Sequence, residues 1–155
     1  MGELVEDFND TAYVVSISGN WARSTVTPRQ GAGCFKSATI GDNGTTDCTV
    51  IVPGGASSVR FWYRVSSEAS YDWFRFLIAG AEKTEVAAAG TVPWTQSPEF
   101  AVTPGQTLTF RYTKDTSASS GEDSAYIDDL TFTIDEMPPR PVSNWAAAVT
   151  RASRF

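Results

Sequence analysis

The chain contains no histidine. That absence removes the commonest general base, the commonest transition-metal ligand and every Ser-His or Cys-His nucleophile pair. Paired carboxylates, or oxygen ligands around a hard cation, remain available. Basic residues are also scarce, 12 Lys and Arg against 18 Asp and Glu for a net charge of -6. With no Lys/Arg cluster interleaved with aromatics to offset this balance, no nucleic-acid partner is expected. No apolar run approaches the roughly 18 residues of a membrane span, so no membrane partner is expected. The opening MGELVEDFND has acids where a secretory leader has bases and lacks an apolar stretch, so export by the general secretory route is not expected.

There are two cysteines, Cys34 and Cys48. If their segments paired as a plain hairpin about GDNG, Cys34 would fall opposite a residue near Ile51, out of register with Cys48. A disulfide would need a bulge or a change of sheet, and free buried thiols are the simpler expectation.

What the chain has is short apolar or alternating runs: AYVVSIS, CFKSATI, DCTVIV, SVRFWYRV, DWFRFLIAG, AAAGTVPWTQSPEFAV, QTLTFRYTK and SAYIDDLTFTID. Breaks such as GDNG, PGGASS, SSEASY, TPGQ and SASSGED separate them. Strands at this spacing without a helical period predict one all-β domain, a jelly-roll β-sandwich over residues 1–136. Val59, Phe61, Tyr63 and Val65 share one strand face, with Arg60, Trp62 and Arg64 on the other. Leu108, Phe110 and Tyr112 likewise oppose Thr107, Thr109 and Arg111. Simple alternation sends the neighbouring Asp128 and Asp129 to opposite faces.

Composition changes after Glu136. Eighteen acids and nine bases precede that point, whereas the remainder holds Arg140, Arg151 and Arg154 and no acid. Residues 137–155 therefore read as a Pro-rich linker and a docking arm. In the arm Trp145 and Val149 would share one face of a short helix, with Phe155 as a further apolar anchor and the three arginines complementary to an acidic partner.

Three other groups are candidates for chemistry. In SSEASYD the short polar residues suit a turn, and Glu68 with Asp72 is a weak candidate for a catalytic carboxylate pair. In KDTSASSGEDSAYIDD, oxygen-bearing side chains including Asp115 and Asp123 surround Gly121, in a spacing that suits calcium without matching an EF-hand. Trp62 and Trp73 alternate out of phase with apolar neighbours, so they are the tryptophans expected to stack on glycan rings.

The stretches ATIGDNGTTDCTVIV, VRFWYRVSSEASYDWFRFLIAG and LTFRYTKDTSASSGEDSAYIDDLTF, with Trp94 between the last two and VEDFND at the start, resemble jelly-roll modules of bacterial extracellular and virion proteins. These modules are related in form to MAM-like and concanavalin-like sandwiches. The likeness covers roughly residues 33 to 134 and implies a module that binds, adheres or decorates; it brings no catalytic residues to carry over. It also implies a structural calcium between N-terminal acids and a late strand, here Glu6 or Asp7 with Asp128. Combined with the tail, it leads to the expectation of a non-enzymatic, multi-copy virion protein, a minor tail or capsid decoration component. Such a protein would dock on other virion proteins through its arm and present the sandwich to cell-surface glycan. The alternative is an extracellular carbohydrate-binding or adhesion module of a secreted bacterial protein.

Overall fold

The computed structural model describes residues 2–116 and 121–135. The expected linker and arm, with Arg140, Trp145, Val149, Arg151, Arg154 and Phe155, lie outside the described residues. The chain forms β1 (Gly2–Glu6), β2 (Ser16–Gly19), β3 (Ala22–Ser24), β4 (Cys34–Lys36), β5 (Thr45–Ile51), β6 (Ala56–Ser66) and β7 (Trp73–Ile78). It continues through β8 (Ala81–Glu82), a single 3-10 turn at Thr84–Val86, β9 (Ala88–Ala89), β10 (Thr91–Gln96), β11 (Phe100–Ala101), β12 (Thr107–Thr113) and β13 (Ser124–Ile134). The fold is all-β, a jelly-roll sandwich of two antiparallel sheets. Among the described residues no helix is long and apolar enough to cross a membrane.

Sheet A runs β10-β6-β13-β4-β3, with β1 also on β13 and β11 also on β6; sheet B runs β2-β5-β12-β7-β8, with β9 also on β7. Alternation decides which side of each sheet faces the other. Val59, Phe61, Tyr63 and Val65 of β6 are buried, and so are Phe74, Phe76 and Ile78 of β7 and Leu108, Phe110 and Tyr112 of β12. Phe61 is the hinge of this core: its ring centroid lies 4.8 Å from Phe76, 5.0 Å from Phe110 and 6.4 Å from Phe74, all near edge-to-face. One residue of sheet A thus touches three of sheet B, in the geometry aromatic quadrupoles favour.

One expectation is met and another needs correcting. Cys34 and Cys48 are free and buried as expected, but their segments are not a hairpin: β4 pairs with β3 and β13 in sheet A, whereas β5 pairs with β2 and β12 in sheet B. Burial pushes the Cys34 thiol up to about 12 and Cys48 higher still, which disfavours the thiolate form of both.

Asp128 and Asp129 do not part to opposite faces. A bulge in β13 sets Asp128 against Trp62 and Thr131 against Arg60, leaving two residues opposite Phe61. Asp129 takes the left-handed conformation, φ 46°, which aspartate tolerates better than most residues. The extra residue resets the alternation, so Ala125, Ile127, Leu130 and Phe132 all join the core. Both aspartates are consequently available to the loop that crosses sheet A.

Candidate functional site

The two outer faces of the sandwich differ in what covers them. Over sheet A lies the connection from β3 to β4. Its Arg29 guanidinium sits 3.8 Å from the centre of the Trp62 ring, and its Nη1 is 2.9 Å from Asp129 Oδ2. The Arg29 backbone N–H donates to Asp128 Oδ2 at 3.0 Å, and the Asp129 N–H donates to Asp128 Oδ1 at 2.8 Å. Burial, reinforced by the neighbouring Asp129 charge, raises Asp128 to about 7 despite these donors.

The same connection engages the rest of the face. Trp94 Nε1 donates to Thr27 O at 3.1 Å and Arg64 donates to Thr27 Oγ1 at 2.8 Å. Arg64 also lies 4.1 Å over the Tyr126 ring and pairs with Glu122, which accepts a short hydrogen bond from the Tyr126 hydroxyl. The Trp62 ring, expected to stack on a glycan, thus already carries the Arg29 guanidinium on one face.

Among the described residues no loop engages sheet B's outer face in this way. The antiparallel register sets its side chains in rows across the strands. Ala89, Trp73, Thr113 and Thr45 make one row, and Arg75, Arg111 and Asp47 the next. Leu77, Thr109, Thr49 and Ser18 make a third, with Glu82 beside Leu77. The like charges of Arg75 and Arg111 are directly opposite, and each is neutralised from its other side. Arg75 reaches Glu82 at 2.9 Å, and Arg111 makes a forked pair with Asp47 at 2.8 and 2.9 Å. The hydroxyls of Ser18 and Thr49 share a hydrogen bond at 2.7 Å.

Trp73 stands at the end of this field. Small or short side chains, Ala89 and Thr113, flank it across the sheet, and the Arg75 guanidinium lies 5.0 Å from its ring centre. A flat ring beside paired donors and acceptors is one of the few arrangements on this surface able to hold a polar ligand with an apolar face. Because Trp73 ends a strand of alternating apolar residues, the sequence made it visible; the charged rows beside it required the register.

A third feature lies in the turn from β6 to β7. Ser67 behaves as expected of a turn residue, donating to Asp72 O at 2.9 Å and accepting from Gly90 N–H at 3.0 Å. Glu68 and Asp72 depart from that reading. One carboxylate oxygen from each, and one from Asp115 after β12, lie within 4.8 Å of one another. It is the one group of three such residues among the described residues. Asp72 is fully buried; its Oδ1 accepts from Asp115 N–H at 3.1 Å while Oδ2 has no donor. Glu68 Oε1 is likewise buried without a partner. Such an acceptor costs roughly 1–3 kcal/mol. Loss of solvent and the Asp115 and Asp72 charges raise the Glu68 carboxyl.

This regroups the acids singled out from the sequence. Asp123 is not in the group with Asp115; it accepts from Lys114 Nζ at 2.6 Å and from the Tyr112 hydroxyl at 2.8 Å. Gly121 does provide the bend, with φ 62°, and a Cβ there would lie 2.4 Å from Ser66 Oγ. Nor do Glu6, Asp7 and Asp128 form a three-carboxylate group. Glu6 accepts from the N–H groups of Phe8 and Val14 at 2.9 and 2.6 Å, Asp7 accepts from that of Asn9 at 3.0 Å, and Asp128 faces Arg29. Backbone donors hold each of them in place.

A pocket of about 230 Å³ opens between Tyr13, Ile17, Trp21 and Phe35. Its Trp21 Nε1 is committed to Thr46 O at 3.2 Å, and Tyr13 and Ser18 give its lining a polar part.

No protein-family model and no curated protein matches the sequence. Solved structures do match in fold. The K2 cleaved adhesin domain of Lys-gingipain superposes with a TM-score of 0.56 at 14% identity, over 86% of this chain and 99% of that one. A xylan-binding domain of carbohydrate-binding module family 22 gives 0.52 at 12% identity, over 84% and 93%. A family 51 carbohydrate-binding module from Clostridium perfringens, in complex with methyl-galactose, gives 0.51 at 11% identity, over 85% and 100%. The shared feature is the jelly-roll β-sandwich fold. The narrower likeness to MAM-like modules, and the expected place in a virion, find no support in these comparisons.

Proposed function

We propose that the protein is a non-catalytic carbohydrate-binding module that takes its ligand on the outer face of sheet B. The observation that carries this reading is Trp73, which no loop of the described residues engages, beside the row of the Arg75–Glu82 and Arg111–Asp47 pairs. A pyranose offers an apolar C–H face and a rim of hydroxyls. The ring meets the first, and the charged pairs and threonines meet the second. Neighbouring folds described as binding xylan and methyl-galactose support a glycan as ligand class.

Affinity electrophoresis against xylan and galactan gels, followed by titration with the corresponding oligosaccharides, tests the reading. The wild-type chain is expected to be retarded and Trp73→Ala to run free, while Trp62→Ala, if folded, keeps binding. Retention of full affinity by Trp73→Ala rejects the face.

Attachment of the sandwich to a larger body through residues 137–155 is a second reading, favoured by the reversal of charge after Glu136 and the aromatic content of that segment. The body can be a secreted protein or a particle such as a virion. Deleting residues 138–155 should then leave glycan binding intact and abolish incorporation into that body.

A further inference from the structure

We propose that Glu68, Asp72 and Asp115 form a calcium site that ties the β6–β7 turn to the segment leaving β12. Glu68 and Asp72 share one turn and Asp115 comes 43 positions after Asp72, yet the three carboxylates converge within 4.8 Å. Two oxygens on opposite sides of a calcium ion are about 5 Å apart, twice the usual 2.3–2.6 Å bond. The group therefore already has the span of a coordination sphere.

Convergence of acids alone would be an ordinary surface feature, but here Asp72 points inward and Glu68 turns one oxygen in beside it. Asp72 is fully buried, yet its Oδ2 meets no donor, and Glu68 Oε1 is buried in the same condition. The chain has a ready alternative nearby, since Lys114 Nζ is only 2.6 Å from Asp123 and its charge is felt by Glu68 and Asp72. It nevertheless leaves these two oxygens without a hydrogen bond. A fold that buries carboxylate oxygens together without donors is arranged for a positive charge between them.

The donor set selects the ion. All three side chains are hard oxygen ligands and neither cysteine nor histidine is in the group, which disfavours zinc and copper. Carboxylates able to bind through one oxygen or two, on turns of irregular geometry, suit calcium's six to eight loosely directed ligands better than magnesium's strict octahedron. The turn geometry is consistent with this service. The N–H groups of Tyr71 and Asp72 both donate to Glu68 O, at 3.3 and 3.1 Å, closing the loop so that Glu68 and Asp72 lie side by side. Ser70 holds φ 71° within that loop. Asp115 is fixed from the other side, its N–H on Asp72 Oδ1 and its carbonyl accepting from Asn43 N–H at 2.6 Å.

This inference does not depend on the glycan reading, because the three carboxylates serve the turn and not the rows of sheet B. The test uses the full chain freed of metal with a chelator, then titrated with CaCl2 or MgCl2 by calorimetry and thermal melting. One calcium per chain is expected, with a rise in Tm of several degrees at saturation. Glu68→Gln and Asp115→Asn, both at partly exposed positions, are expected to weaken calcium binding at least tenfold; Asp72→Asn is the stronger lesion and is read only if it folds. Glu6→Gln is expected to leave the affinity unchanged. Sensitised terbium luminescence, excited through the adjacent Tyr71 and Trp73, gives an independent readout that should vanish in Glu68→Gln. No binding of calcium at millimolar concentration, preference for magnesium, or loss of binding in Glu6→Gln with retention in Glu68→Gln would each overturn the assignment.

Discussion

The outer faces of sheets A and B begin from similar material and end differently. Both carry tryptophan and arginine on strands whose opposite side is core. On sheet A the β3–β4 connection lies across the strands, and Arg29 stacks on Trp62 while reaching Asp129. On sheet B the arginines pair within the plane of the sheet, Arg75 with Glu82 and Arg111 with Asp47, and no loop of the described residues engages the Trp73 ring. The difference teaches that an exposed-looking aromatic in a strand pattern is a binding candidate only if the protein does not cover it. A cation over a ring gives part of what a sugar would, and both rings have one, Arg29 at 3.8 Å from Trp62 and Arg75 at 5.0 Å from Trp73; the faces differ in the loop that crosses sheet A.

The largest effect tests the base both faces share. Phe61→Ala removes the ring that contacts three partners across the sandwich, and a loss of about 3–5 kcal/mol in denaturant-induced unfolding is expected; a loss under about 1 kcal/mol would mean that the sheets are held elsewhere. Arg29→Ala probes sheet A alone. It strips Trp62 of its cation and leaves the Asp129 carboxylate without its guanidinium, so a stability loss of roughly 1–3 kcal/mol is expected, with glycan affinity unchanged. An Arg29→Ala chain that gained glycan affinity would sharpen the comparison, by showing that the loop is all that closes Trp62. Trp73→Ala probes sheet B alone and is expected to reduce affinity for the retained glycan at least tenfold, about 1.4 kcal/mol, with little change in Tm.

The smallest effect is a slope. Asp128 is raised from its ordinary 3.8 to about 7 by burial. Between those values the folded chain holds more protons than the unfolded one, so this group's contribution is complete below pH 4 and is lost as pH rises toward 7. Melting temperature should therefore decline across that window, and Asp128→Asn should flatten the decline even if it lowers stability throughout by removing one acceptor. An unchanged slope in the variant would place the titration elsewhere; Glu6 and Glu68, also raised, are the next groups to substitute.

Much of the scaffold was legible because alternation is a local property. Phe61, Tyr63, Leu108, Phe110 and Tyr112 declare their side of the sheet by position alone. The bulge at Asp128 and Asp129 was not, since an inserted residue changes face only relative to a partner strand. The short edge strands β1 and β3 carry too few residues to show a period. At the candidate sites, Trp73 was visible from its strand, whereas the cover on Trp62 comes from Arg29, thirty-odd positions earlier. The convergence of Asp115 with Glu68 and Asp72 needed β7 and β12 to be neighbours, which no spacing along the chain encodes. Asp115 was instead grouped with Asp123 because the two share a loop.

Chemical-shift mapping bears most directly on the central claim. An isotope-labelled chain is titrated with a xylo- or galacto-oligosaccharide that it retains in gels, and the indole and guanidinium signals are followed. Shifts concentrated at Trp73, Arg75 and Arg111, with Trp62 and Trp94 unmoved, are the predicted result. Shifts at Trp62, Trp94 and Arg29 with a silent Trp73 would contradict it.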